Sequence, residues 1–297
     1  MEGVFGGEGI TVYTGTKLLD AHCVGNQKEI VFEHRANEVQ SPRSKVQSPD
    51  RPSLRVGHQL QSSRAEVQSQ DGPSLRDGRS GTVRVQADEI FFALGRIPNI
   101  ASLGLEKAGV QLEYNRIATN SRMQTSVPHI YAAGDCAGLH EIVHIAVRQG
   151  EVAAHNIANP ERPKEMDSRL LIEVIFTEPQ IATVGLTEKR ADVENIPYVV
   201  ASYPFIDHGK SLIMEAKDGF VKLLADPIGG EILGGCCVGP QGGELIHEIV
   251  AAMSKRMTVQ ELAEMPHYHP TLAEIWTYPA EELAEKVASR ASSANQR

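Results

Sequence analysis

A long polar segment at residues 36–81 limits where this chain can build a folded core. The segment is rich in Ser, Gln, Arg, Pro and Asp and almost free of large apolar side chains. Within it, VQSPDRPSLRVG at 46–57 recurs as VQSQDGPSLRDG at 67–78, with nine of twelve positions identical. A stacked repeat would need more apolar residues in each copy to bury against the next. The pattern therefore favours a duplicated, mobile insertion over a folded repeat or a docking motif.

The rest of the composition indicates a globular protein and excludes several partners. The 297 residues are 41% hydrophobic and 23% charged, a balance that suits two ordinary domains. A net charge of -9 without a dense basic patch argues against nucleic acid. MEGVFGGEGI has no basic region followed by an apolar run, and no stretch approaches the ~18 apolar residues of a membrane helix, so we expect neither export nor insertion. Four cysteines are too few for a disulfide scaffold, so we predict a soluble protein of the cytoplasm.

The first half of the chain carries patterns typical of strands and of one helix. GITVYTGTKLLDAHC and KEIVFEHR alternate apolar and polar residues around VGNQ, which predicts a hairpin. IFFALG at 90–95 and IYAAGDC at 130–136 are continuous apolar runs, typical of strands covered on both faces. Residues 141–159 then space their apolar side chains as a helix does. A strand, a turn and a helix in this order are typical of α/β sheets, which bind ligands beyond their strand ends.

After a polar, proline-containing linker at 159–167, the pattern changes to strands followed by helices. LLIEVIFTEPQIATVGLT, YVVASYPF, GFVKLLAD and GEILGGCCVG predict strands, and DPIGG predicts the turn between the last two. Helices are predicted at 244–253, at 259–264 and from Pro270, which suits a first helical position. This order indicates an α+β layout. Cys236 and Cys237, adjacent in a strand, should point to opposite faces, which favours a structural role over a redox pair.

Four motifs in order resemble one enzyme family. FALGRIPNI, TNSRMQTSVPHIYAAGDC, IFTEPQIATVGLTE and HYHPTLAE are similar to the second half of the flavin-dependent pyridine nucleotide-disulfide oxidoreductases, which include dihydrolipoamide dehydrogenase, glutathione reductase and mercuric reductase. The resemblance implies an α/β remnant of nucleotide-binding domains followed by an α+β dimerisation domain. Residues 1–97 would end the NAD(P)-binding domain, 98–162 would return to the FAD-binding domain, and 167–297 would form a homodimer.

The resemblance also implies a cofactor site for FAD and for NAD or NADP. Asp135 matches the aspartate that binds the ribityl chain of FAD, and Gly134 lets the backbone approach. Val143 and His144 match the start of a helix aimed at the flavin, whose N–H groups can stabilise negative charge. Gly95 matches a turn close to the nicotinamide. Without the resemblance, an aspartate after an apolar run is more often a turn or helix cap.

The carboxyl-terminal motif supplies the implied catalytic pair. His269 and Glu274 match the family's base and its orienting carboxylate, which act across the dimer on a disulfide of the partner subunit. An imidazole exchanges protons with a thiol near neutral pH, and a carboxylate on its other nitrogen fixes the tautomer. From the residues alone, His269 and His267 would each be expected to cap a helix or lie in a core. No metal is predicted, because H-x-H is a weak ligand pattern even with Glu274 nearby.

The departures from the family leave the activity open. The chain has no G-x-G-x-x-G fingerprint and no C-x-x-x-x-C redox pair. We therefore expect a truncated or split oxidoreductase for small dithiols or disulfides, completed by an amino-terminal half that is either encoded separately or part of a longer protein. One alternative is a non-catalytic dimerising or flavin-associated remnant. Another is a mercuric reductase-like enzyme, which the absence of a cysteine pair in the tail ASRASSANQR disfavours.

Overall fold

The computed structural model describes residues 1–34, 66–69, 81–138 and 140–294, without the side chains of 66–69 and 291–294. The insertion predicted at 36–81 therefore lies almost entirely outside the described residues. The chain divides into two compact units, Met1–Arg96 and Ile97–Arg297, which are described separately below. The predicted domains 1–97, 98–162 and 167–297 remain a prediction. No helix in the described ranges combines the length and the apolar content needed to cross a membrane.

The first unit contains a four-stranded antiparallel sheet in the order β1-β2-β4-β3. The elements are α1 Glu2–Gly7, β1 Thr16–Val24, β2 Gln27–His34, β3 Glu66–Ser69 and β4 Gly81–Ala87. The predicted hairpin is confirmed, since β1 pairs with β2 from Thr16 and His34 to Val24 and Gln27. Among the side chains described for this sheet, the buried apolar ones are Val31, Phe32 and Val83.

The two apolar runs predicted as covered strands do not form strands. Residues 90–95 belong to no helix or strand, and Phe91 and Leu94 are 92% and 79% exposed. A covered strand needs neighbours that satisfy its backbone groups and cover its faces. Within the described residues, no strand pairs with 90–95. In the second run, Tyr131 forms only an isolated bridge with Gln124, and the chain turns directly afterwards.

The second unit begins with a small region around one long helix. Its elements are β5 Leu112–Glu113, β6 Arg116–Ile117 and α2 Val143–Ala158. The helix predicted at 141–159 is confirmed, and its buried face carries Ile145, Gln149, Val152, Ala153 and Asn156. The side chain of Asn156 binds the backbone of Lys164 in both directions, at 2.7 and 2.9 Å. This contact attaches the linker to the helix.

The remainder of the second unit is an antiparallel sheet in the order β7-β8-β11-β10-β9, with helices packed on it. The strands are β7 Ile172–Ile175, β8 Gln180–Gly185, β9 Val199–Pro204, β10 Phe220–Ala225 and β11 Ile232–Gly239. The helices are α3 Glu188–Glu194, α4 Gly209–Ile213, α5 Gly242–Ser254, α6 Val259–Glu264 and α7 Thr277–Ala294. This arrangement confirms the predicted α+β layout.

One large core holds this sheet and its helices together. Fully buried side chains from strands and helices meet in it, among them Leu223, Ile232, Ile246, Ile249 and Trp276. The Trp276 indole donates a hydrogen bond to the Leu245 carbonyl at 3.1 Å, which satisfies the ring's polar atom inside the core. The cysteine prediction agrees with the structure: Cys237 is buried and Cys236 is half-buried. Burial raises the pKa of the Cys237 thiol to about 12, so it is a poor nucleophile.

The predicted helix start at Pro270 is wrong. The chain first forms a 3-10 turn at Ala273–Trp276, and α7 begins only at Thr277. Pro279 instead occupies the first turn of α7, where a missing N–H costs no helical hydrogen bond. The residues between Pro270 and Ala273 are thus left as a bend, with His269 directly before it and Glu274 in the 3-10 turn after it.

Candidate active site

His269 and Glu274, paired in the sequence prediction, are in contact in the structure. His269 Nδ1 lies 2.8 Å from Glu274 Oε2. The His269 side chain is 77% exposed, whereas that of Glu274 is 10% exposed. Glu274 is further held by its backbone N–H, which donates to Thr271 Oγ1 at 3.4 Å. The carboxylate therefore accepts from Nδ1, and Nε2 is the imidazole nitrogen left to exchange protons.

Glu274 also meets a second histidine that sequence reasoning missed. His208 Nε2 lies 3.5 Å from Glu274 Oε1, and the His208 side chain is completely buried. Its Nδ1 is 2.8 Å from Ser211 Oγ, and the rings of Phe205 and Tyr278 pack edge-on against it. Burial lowers the pKa of His208, and the nearby carboxylate opposes this shift only in part. A single histidine in FIDHGKS, distant in sequence from HYHPTLAE, gives no signal of this contact.

His267 belongs to a different contact and does not join His269. Its Nε2 lies 2.6 Å from Glu248 Oε1 on α5, and its Nδ1 lies 3.0 Å from the Met265 carbonyl oxygen. The side chain is 7% exposed, and its contact with Glu248 connects the segment before Pro270 to α5. The two histidines of H-x-H therefore contact separate carboxylates. Across the described ranges, no group of three or more potential ligand side chains is placed to hold a metal ion.

Gly134 and Asp135 form the turn that precedes α2. Gly134 has a φ of +82°, which glycine adopts without strain. Its N–H donates to Gln149 Oε1 at 2.7 Å, which ties the turn to the buried face of the helix. The Asp135 carbonyl accepts a hydrogen bond from the Arg116 guanidinium, which also pairs with Glu141. Gln149 thus holds the turn at Gly134, and Arg116 holds it at Asp135.

The amino terminus of α2 is open. Val143 is 81% exposed, His144 is exposed, and no side chain of the described residues caps this end of the helix. The first backbone N–H groups of a helix have no partner within it and carry partial positive charge. These features fit a cofactor group that accepts hydrogen bonds or gains negative charge. Gly95, with a φ of +86°, lies in the first unit.

Comparison with protein families identifies the chain. Residues 172–280 match the dimerisation domain of the pyridine nucleotide-disulphide oxidoreductases, and residues 53–150 match a second model with the description pyridine nucleotide-disulphide oxidoreductase. The chain belongs to this family. The matches confirm the predicted fold class, in which nucleotide-binding sequence precedes an α+β dimerisation domain. The second match overlaps part of the insertion predicted at 36–81.

The chain aligns with only part of the length of individual relatives. The chain is 40% identical to dihydrolipoyl dehydrogenase from Chlamydia muridarum over 194 residues, which are 65% of this chain and 41% of that protein. It is 41% identical to dihydrolipoyl dehydrogenase from Mycobacterium bovis over 191 residues, 64% of this chain and 41% of that protein. The chain thus spans about two fifths of the length of these relatives.

Solved structures share the fold. The crystal structure of LpdA from Mycobacterium tuberculosis superposes with a TM-score of 0.69 at 25% identity, covering 95% of this chain and 51% of that one. The Cu(II) complex of the HOCl-induced flavoprotein disulfide reductase RclA from Escherichia coli gives a TM-score of 0.66 at 17% identity. It covers 94% of this chain and 53% of that one, and at this identity shows similarity of fold alone.

Proposed function

We propose that this family member provides the acid–base pair and part of the cofactor site of a flavoprotein disulfide oxidoreductase. The reaction would transfer electrons between NAD(P)H, FAD and a small dithiol or disulfide such as dihydrolipoamide. The observation that carries the proposal is the 2.8 Å contact between His269 and Glu274. It places an exposed imidazole on a nearly buried carboxylate, in a chain about 40% identical to dihydrolipoyl dehydrogenases.

The proposed proton transfer uses Nε2 of His269. When a substrate dithiol is oxidised, Nε2 takes the proton of the attacking thiol, and the thiolate forms a bond to one disulfide sulfur while the other sulfur leaves as thiolate. In the reverse direction, the imidazolium returns the proton. Glu274 accepts the Nδ1–H throughout and stabilises the imidazolium, as carboxylates do in other acid–base pairs. The exposure of His269 leaves Nε2 accessible to a second polypeptide.

The proposed cofactor site uses the turn and the helix end of the second unit. Asp135 would bind the ribityl hydroxyls, with Gly134 giving close access to the backbone, and the N–H groups at Val143 and His144 would face the flavin ring. Gly95 would lie near the nicotinamide of NAD or NADP. When bound, FAD supplies the electron relay between the nicotinamide and the disulfide. The open helix end supports this assignment.

The proposed reaction requires a disulfide that the four cysteines of this chain do not supply. The four cysteines include no pair spaced as C-x-x-x-x-C, so the disulfide would come from a further segment, in the same protein or separately encoded. We propose that the chain forms a homodimer and that His269 acts across it. The match of 172–280 to a dimerisation domain supports this, as do the exposed apolar side chains of Ile175 and Phe176 at the end of β7.

A chimeric enzyme tests the proposal directly. Residues 167–297 would replace the corresponding domain of dihydrolipoyl dehydrogenase from Mycobacterium bovis, and NAD⁺-dependent oxidation of dihydrolipoamide would be measured. We expect an active chimera. Replacing His269 by Gln should lower kcat by about 10²- to 10⁴-fold, because the general base is lost.

The matched control is His247→Gln, at an exposed histidine of α5 whose Nδ1 contacts the Gly243 carbonyl. We expect this variant to keep the activity of the chimera. An H269Q chimera as active as its parent would refute the catalytic assignment. A chimera that dimerises and binds FAD but lacks activity would instead favour the non-catalytic alternative.

A further inference from the structure

Glu274 contacts two histidines, one exposed and one buried. Its Oε2 lies 2.8 Å from Nδ1 of exposed His269, and its Oε1 lies 3.5 Å from Nε2 of completely buried His208. A carboxylate bound through one oxygen can rotate about its terminal bond, because that torsion has broad, shallow minima. A second donor on the other oxygen restricts this rotation. Nε2 of His208 is placed to act as such a donor, although its 3.5 Å distance from Oε1 is longer than that of an ordinary hydrogen bond.

The two ring nitrogens of His208 face different groups. Ser211 lies 2.8 Å from Nδ1, and both side chains are completely buried. Among the described residues, Nε2 has no hydrogen-bond partner within ordinary range, which is rare for a buried polar atom. The group that it meets is the Glu274 carboxylate. If the Ser211 hydroxyl donates to Nδ1, the proton of the neutral ring is on Nε2 and points at that carboxylate.

We propose that His208 is a positioning residue for the catalytic pair. Its Nε2–H holds Oε1 of Glu274, which keeps Oε2 on the Nδ1–H of His269 and leaves Nε2 of His269 as the basic nitrogen. The importance of this arrangement for catalysis rests on the function proposed above. The arrangement itself is a property of the isolated chain and is measurable without turnover.

The test is the tautomer of His269 in the full 297-residue chain. Nitrogen-15 chemical shifts of the labelled histidine rings, recorded at about pH 8 where ordinary histidines are neutral, distinguish Nδ1–H from Nε2–H. We expect the parent chain to hold His269 as Nδ1–H. His208→Phe keeps a planar ring but removes the donor, and should lower the ratio of Nδ1–H to Nε2–H by about fivefold.

Rescue and control variants separate positioning from general damage. His208→Gln retains an N–H donor at the end of a side chain of similar reach, and we expect it to restore the parent ratio. His267→Phe removes another buried histidine of the same region, one that contacts Glu248, and should leave the His269 ratio unchanged. Fluorescence of Trp276, which is completely buried, reports whether each variant keeps its core.

Ser211→Ala decides the question if His208→Phe fails to fold. Without the hydroxyl, Nδ1 of His208 loses the donor that favours a proton on Nε2, so fewer His208 rings offer an N–H to the carboxylate. The Nδ1–H fraction of His269 should then fall in the same direction. An unchanged ratio in every folded variant would overturn the proposal. A changed ratio together with an active H269Q chimera would keep the positioning role and refute the catalytic function, so the two failures are distinguishable.

Discussion

Two apolar stretches that look alike in sequence have opposite structures. The first, ILGGCCVG, is β11 at the centre of the five-stranded sheet, where Ile232 and Cys237 are almost completely buried. The second, IFFALG at 90–95, pairs with no strand in the described ranges, and Phe91 is 92% exposed. An apolar run therefore permits a covered strand, while the neighbouring elements decide whether one forms.

β11 has a paired strand along each of its two edges. β10 precedes it through a short turn in which the Asp226 carboxylate accepts the Ile228 N–H at 3.0 Å, and β8 pairs with its other edge. α5 covers one face so closely that a Cβ at Gly235 would lie 2.9 Å from Ile249. β11 is thus paired along both edges and covered by a helix, whereas 90–95 pairs with no strand among the described residues.

The largest expected difference is between two isoleucines of the second unit. Ile232→Ala leaves a cavity in a packed core and should lower the free energy of unfolding by about 2–5 kcal/mol. Ile97→Ala, at a side chain that is 87% exposed, should change it by less than about 0.5 kcal/mol. Urea unfolding followed by Trp276 fluorescence measures both. Equal losses would show that the side chain of Ile97, two residues after the exposed stretch, is packed in solution.

A smaller effect is expected from two glycines. A Cβ at Gly234 in β11 would lie 2.1 Å from the Leu186 carbonyl oxygen, so Gly234→Ala should cost about 1–3 kcal/mol through forced backbone shifts. A Cβ at Gly150 in α2 would meet open space, and Gly150→Ala should raise stability by about 0.5–1 kcal/mol because alanine favours the helix. Thermal unfolding of both variants gives the signs. A stabilising Gly234→Ala would mean that β11 is less tightly enclosed.

The smallest effect concerns the pH dependence of stability. Burial lowers the pKa of His208, so the unfolded chain binds its proton at a higher pH than the native chain does. Stability should therefore fall as the pH decreases below about 6.5, by no more than ~1.4 kcal/mol per pH unit from this one proton.

Unfolding of His208→Asn across pH 5–8, a range of about three units, should show a shallower slope than the parent. His129→Asn, at an exposed histidine of the same unit, is the matched control and should leave the slope unchanged. An identical slope in His208→Asn and the parent would indicate that the native protein admits the proton at this site.

The sequence by itself determined the elements that depend on short-range order. Period-two alternation defined the β1–β2 hairpin, helical spacing defined α2, and the strands of the carboxyl-terminal sheet followed from apolar runs between turn residues. Four motifs identified the family. The pairing of His269 with Glu274 was predicted from the family resemblance, and the two residues, five positions apart, are in contact in the structure.

Only the tertiary structure decided features that depend on residues distant in sequence. Residues 90–95 satisfy the local pattern of a covered strand, but burial requires neighbours that no local pattern specifies. His208 lies on the segment after β9, and it reaches Glu274, in the 3-10 turn before α7, because α7 packs against β9 and β10. The burial of His208 beside the Glu274 carboxylate results from the packing of two distant segments, so no spacing within the sequence predicts it.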